Sequence, residues 1–198
     1  HSMCRNTRLL VAMLSQLLTA AFVTSIGGAF FILFVQDVGY SATLASLFLS
    51  LRELFGTISR ALYASIRLYV SNQLILSLVP LIAGGALLLG FYRPVLPLLL
   101  VIIAIEGFAL GLTAPAGNTE ASENASEEDL AETIAAVVVM FQVGTVIFPP
   151  ITGQFMRMMN RSQGLMMGTL LVMLLSIWPL VLSLKTRTES AQSQEIEV

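Results

Sequence analysis

The side chains able to do chemistry in the apolar part of this chain are Arg52, Glu53 and Glu106, with Gln16 and Gln142 as hydrogen-bonding groups. Arg52 and Glu53 lie near the midpoint of Ser41–Arg67, SATLASLFLSLRELFGTISRALYASIR. Roughly 20 apolar residues cross the hydrocarbon of a bilayer, which puts both charges ~15 Å from either surface. An ionised side chain there costs at least ~2.5 kcal/mol on insertion scales. Such charges are tolerated where they face a protein interior or a water-filled path. Two chemistries fit: a structural ion pair locking neighbouring helices, or a path for a solute or a proton.

Composition supports the membrane setting. Of 198 residues, 56% are hydrophobic and 11% charged, where a soluble domain carries about 25% charged residues. Mean hydropathy is +0.85. The net charge of −2 says little about partners, and no basic run with interleaved aromatics points to nucleic acid. Cys4 is the single cysteine and His1 the single histidine, so neither a disulfide within the chain nor an internal histidine or cysteine metal site can form. No cofactor is expected. Without catalytic carboxylate spacing or a nucleophile motif, neither is an enzyme. His1 and Ser2 point to an expression scar before Met3 or a chain cut from a longer one, and no secretory signal pattern follows.

Six apolar spans must position these groups. They run from Leu9 to Val35, from Ser41 to about Ala64, from Leu68 to Gly90, from Val95 to Ala114, from Thr133 to Phe155 and from Leu165 to Leu184. This predicts an all-α polytopic membrane protein. Residues 1–8 form an N-terminal segment, 9–184 the transmembrane domain and 185–198 a disordered polar tail. A polar loop is expected from Pro115 to Glu132, closed by a capping box at Ser126-Glu127-Glu128-Asp129. Arg5, Arg8, Arg60, Arg67, Lys185 and Arg187 flank the spans on one side, against Arg93, Arg157 and Arg161 on the other. That bias places both termini in the cytoplasm of a cell-membrane protein.

The third and sixth spans hold no charged residue and read as lipid-facing. The first, second, fourth and fifth carry the polar groups. The division repeats in each run of three, the pattern of a 3+3 inverted repeat. Depth places Arg52 and Glu106 at the same level, so they can pair. Alternatively Glu106 stays protonated, and a carboxyl that exchanges a cation for a proton is a coupling element. Glu53, Gly56 and Arg60 are read as sharing a face apart from Arg52. Gly107-x-x-x-Gly111 and Gly164-x-x-x-Gly168 predict close helix packing. Pro149 and Pro150 remove two backbone donors in mid-helix and predict a bend, structural or gating.

Several of these residues carry a family resemblance: Phe34-Val35-Gln36-Asp37-Val38-Gly39-Tyr40-Ser41-Ala42, Leu51-Arg52-Glu53-Leu54-Phe55-Gly56 with Ser59-Arg60, Gly111 through Asn118, and the Gly/Pro-rich Gly144 through Gly153. In order and spacing the chain resembles the C-terminal six-helix half of a major facilitator superfamily transporter. These stretches are similar to its helix seven–eight junction, its helix eight, the end of helix ten and helix eleven. The resemblance implies a cavity lined by helices seven, eight, ten and eleven, with nine and twelve peripheral. It implies secondary transport by alternating access of a small organic solute or drug-like compound, by import or efflux, coupled to protons, with a missing N-terminal half or a second copy as partner. Two departures stand out. Ala64-Ser65-Ile66-Arg67 keeps only the arginine of the loop motif after helix eight, and Ser126-Glu127-Glu128-Asp129 replaces basic residues before helix eleven. The alternative is a six-span assembly or receptor-like subunit that transports nothing and uses its charges for packing.

Overall fold

Apolar runs separated by short polar turns build six helical rods, in a computed structural model that describes residues 6–196, with side chains through residue 185. The first rod is composite: α1 (Thr7–Ala20), a π-helical segment (Ala21–Ala29) and α2 (Phe30–Asp37). Four single helices are α3 (Ala42–Arg67), α4 (Asn72–Tyr92), α7 (Leu130–Met158) and α8 (Arg161–Ile196). The fourth rod is α5 (Leu96–Gly111) followed, after Leu112, by α6 (Thr113–Asn124). Local signals start these helices. Asn6 Oδ1 accepts from Arg8 N at 3.0 Å, Ser41 Oγ accepts from Leu44 N at 3.2 Å, and a proline opens α5.

α3 packs along α5 as the first rod packs along α7, while α4 lies against α8. An inverted repeat exchanges the first rod with the fourth and the second with the fifth, so it maps the first of these pairings onto the second. The α3–α5 seam is built from small residues. A Cβ added to Gly107 would overlap Arg52 O, and one on Gly111 would overlap Gly56 O and Ser59 Oγ. At the end opposite α1's start, Phe31, Phe34, Phe48 and Phe91 close the core, with Phe34 and Phe91 edge-to-face at 4.9 Å. Arg161 pairs there with Asp37 and donates to Leu33 O at 3.1 Å. At the other end Arg67 pairs with Glu123 of α6, and Tyr63 donates to Asn72 Oδ1 at 2.7 Å.

The six rods answer the six expected spans, and the architecture departs from the other expectations in four places. Among the described residues, five helices are long and apolar enough to cross a membrane: Thr7–Asp37, Asn72–Tyr92, Leu96–Asn124, Leu130–Met158 and Arg161–Lys185. α3 has the length, about 39 Å at 1.5 Å per residue, but its charges and hydroxyls lower its hydropathy. Most of the expected polar loop is α6, because Thr113, Ala116, Gly117, Glu120 and Ala121 form a buried stripe and Pro115 sits harmlessly in the first turn. Ser126 and Asp129 do bond each other, in the turn before α7 rather than inside its first turn. The expected tail continues α8 to Ile196, since Lys185 to Ile196 contains no glycine or proline to stop it.

The fourth departure concerns exposure. α4 is mostly interior, whereas α7 is the most exposed of the five apolar spans. The apolar α8 does present an outward face without ionisable groups, from Met167 to Leu184.

Candidate functional site

The first rod breaks at Gly27-Gly28. Gly28 has φ −95° and ψ −113°, outside any helix, and the π-helical turns around it leave carbonyls without their regular partners. Both glycines are required by contact: a Cβ on Gly27 would overlap Glu106 Oε1, and one on Gly28 would overlap Val23 O. Arg52, projecting from the buried stripe Ala45–Phe48–Arg52–Gly56–Ser59 of α3, satisfies this break. Its Nη1 donates to Gly27 O at 2.7 Å and lies 3.5 Å from Val23 O. Its Nη2 donates to Glu53 Oε1 at 3.1 Å.

Glu106 completes the group from α5. Its side chain is fully buried, and neither oxygen has a hydrogen-bond partner among the described residues. Its Oε1 stands 3.9 Å from Arg52 Nη1, an ion-pair distance beyond hydrogen-bond range. One guanidinium therefore faces three acceptors: the broken helix, Glu53 and Glu106. A shift of roughly 1 Å toward Glu106 would form a charge-assisted hydrogen bond at the expense of the one to Gly27 O.

Glu53 is largely exposed and shared, since its second oxygen lies 4.0 Å from Arg60 Nη2. Gly56 sits with Arg52 on the seam rather than with Glu53 and Arg60, because a spacing of four residues returns to the same helix face. The outer face of α3 carries Thr43, Ser46, Ser50, Glu53, Thr57 and Arg60, all exposed at alternating spacings of three and four.

A cleft of about 250 Å³ opens between α1, α3, α5, α6 and α7. Gln16, Thr19, Arg60, Thr113 and Asn118 supply its polar lining, and Val137, Val138 and Phe141 its apolar wall. Gln16 is buried and donates to Thr113 O at 2.8 Å, while Thr19's buried hydroxyl has no partner among the described residues. Gln142 lies elsewhere, on the exposed face of α7. Pro149 and Pro150 line a second hollow of about 580 Å³ with Phe30, Gln154, Arg157 and Arg161. α7 stays helical through both prolines, and the non-helical dihedrals lie at Gly28 of the first rod.

Sequence reasoning had placed Arg52 and Glu106 at one depth and missed what Arg52 holds. Gly27-Gly28 was the available signal. It also missed Glu120, expected in a loop yet buried and accepting from Gln73 Nε2 and Asn124 Nδ2, both at 3.2 Å. A family model described as Major Facilitator Superfamily matches residues 12–197. No curated protein and no solved structure gives a match.

Proposed function

The chain belongs to the major facilitator superfamily, a family of transporters, and from that premise we propose that it moves a small organic solute by alternating access coupled to protons. Arg52, Glu53 and Glu106 handle the charge, and Gln16 contributes hydrogen bonds in the solute cleft. Gln142 and the Pro149-Pro150 segment belong to the exposed face of α7, which meets the remaining half of the transporter or a second copy. The protein sits in the cell membrane with both termini in the cytoplasm.

One observation carries the reading: Arg52 caps the break in the first rod while the buried, unbonded Glu106 waits 3.9 Å away. A static pair would close that gap, because a buried carboxylate left without hydrogen bonds is costly. A proton on Glu106 leaves Arg52 on the helix break. Its loss draws the guanidinium over and frees Gly27 O, which changes the packing of the first rod against α3 and α5. Solute flux in proteoliposomes under an imposed pH gradient tests this. Glu106→Gln, which fixes the neutral form, should fold and insert normally yet lose the dependence of flux on the gradient. Wild-type pH dependence in the variant would refute the coupling role.

A further inference from the structure

We infer that the cleft between α1, α3, α5, α6 and α7 takes the anionic head of an amphipathic organic acid, a reading that rests on the transport function proposed above and names its substrate class. The lining contains one cation, Arg60, and no carboxylate among the described residues. The acid nearest Arg60 is Glu53, at 4.0 Å, and Glu53 gives its other oxygen to Arg52 at 3.1 Å. Arg60 therefore retains guanidinium donors at the rim, in the fork geometry that suits a carboxylate.

Deeper in the cleft the polar groups are neutral and incompletely used. Thr19 has a buried hydroxyl without a partner among the described residues, and buried polar groups are otherwise nearly always bonded. The Gln16 amide donates one hydrogen bond, to Thr113 O, and Asn118 is exposed at the margin. A ligand with a carboxylate or sulfonate at Arg60, one polar substituent within reach of Thr19, and an apolar body against the valine and phenylalanine wall satisfies each of these. An amine in the same orientation meets a like charge at the rim and no acid in the lining to compensate. The volume of about 250 Å³ limits the body to roughly one ring with short substituents.

The test uses three probes of one shape and different charge: benzoate, benzamide and benzylamine. Ala114, exposed and lining the cleft, is changed to cysteine in a Cys4→Ser background. The rate of labelling by a polar maleimide is then read against probe concentration in detergent-solubilised protein. Benzoate should protect at about tenfold lower concentration than benzamide, the worth of one charge-assisted hydrogen bond, with benzylamine weakest. Arg60→Gln should abolish the order and Arg60→Lys preserve it. Both substitutions are at an exposed position, and labelling without a probe checks that the cleft survives. Equal protection by all three probes, protection by none, or a benzoate preference that survives Arg60→Gln would overturn the substrate class and leave transport standing. A cysteine at 114 that no polar reagent reaches would overturn the class together with the water-filled path.

Discussion

α3 and α8 both turn a long face outward, and the two faces are made of different chemistry. α8 shows Met167, Leu170, Leu174, Ile177, Trp178, Val181 and Leu184, an apolar stripe with its small and polar residues Gly164, Gly168, Thr169, Ser176 and Ser183 turned inward. α3 reverses part of that order. Thr43, Ser46, Ser50, Glu53, Thr57 and Arg60 line an exposed stripe beside the apolar Leu47, Leu54, Ile58 and Leu62. Lipid accepts the first surface at no cost, whereas ionised groups at mid-depth require protein or water. Exposure within this chain therefore has two meanings: α8 offers a face that suits hydrocarbon, and under the proposed function the polar stripe of α3 borders the solute path. Arg52 connects that stripe to the interior, since Glu53 on the outer face and Gly27 O in the first rod share its donors.

The largest effect that would break this contrast comes from exchanging charge between the faces. Leu174→Arg should cost about 2.5 kcal/mol or more in insertion, visible as lost membrane-integrated protein, while Ser50→Arg should insert as the parent does. Equal insertion of the two would erase the distinction.

A second effect compares the seams behind the faces. Gly107→Ala pushes a methyl group into the Arg52 backbone and should lower stability by about 1–3 kcal/mol, seen as a reduced Tm in detergent. Gly168→Ala meets Thr152 at 3.4 Å, ordinary contact, and should shift Tm little. A larger loss from Gly168→Ala would reverse the order of the two seams.

The smallest effect sits at the end of α3. Arg67 pairs with Glu123 in an exposed setting, so Arg67→Gln should cost no more than about 1 kcal/mol. A loss comparable to that of Gly107→Ala would mean that this end, rather than the glycine seam, fastens α3.

What the sequence made legible follows from how local each feature is. The depth of Arg52 and Glu106 is a count of residues from a polar boundary, and the structure brings them within 3.9 Å. The glycine spacing of α5 likewise foretold a close seam. The helix break was not local. Gly27-Gly28 reads as packing until one knows that Arg52, 25 residues away, bonds the freed carbonyl of Gly27. Pro149-Pro150 stand inside α7, which keeps its helical assignment through them. Polar composition disguised α6 as a loop, although Thr113, Ala116, Gly117 and Glu120 carry helical spacing toward the interior. The roles of α4 and α7 were harder still, because lack of charge does not tell a buried helix from a lipid-facing one: Val79, Ala83 and Leu87 of α4 are buried, and Val139, Val146 and Ile147 of α7 are exposed.

The most direct test is a matched pair of single cysteines, Ser50→Cys and Leu174→Cys, each in the Cys4→Ser background and treated in the membrane with a polar thiol reagent. The account predicts rapid labelling at position 50 and none at position 174. Protection of both, or labelling of position 174 alone, would contradict the claim that α3 borders a water-filled path.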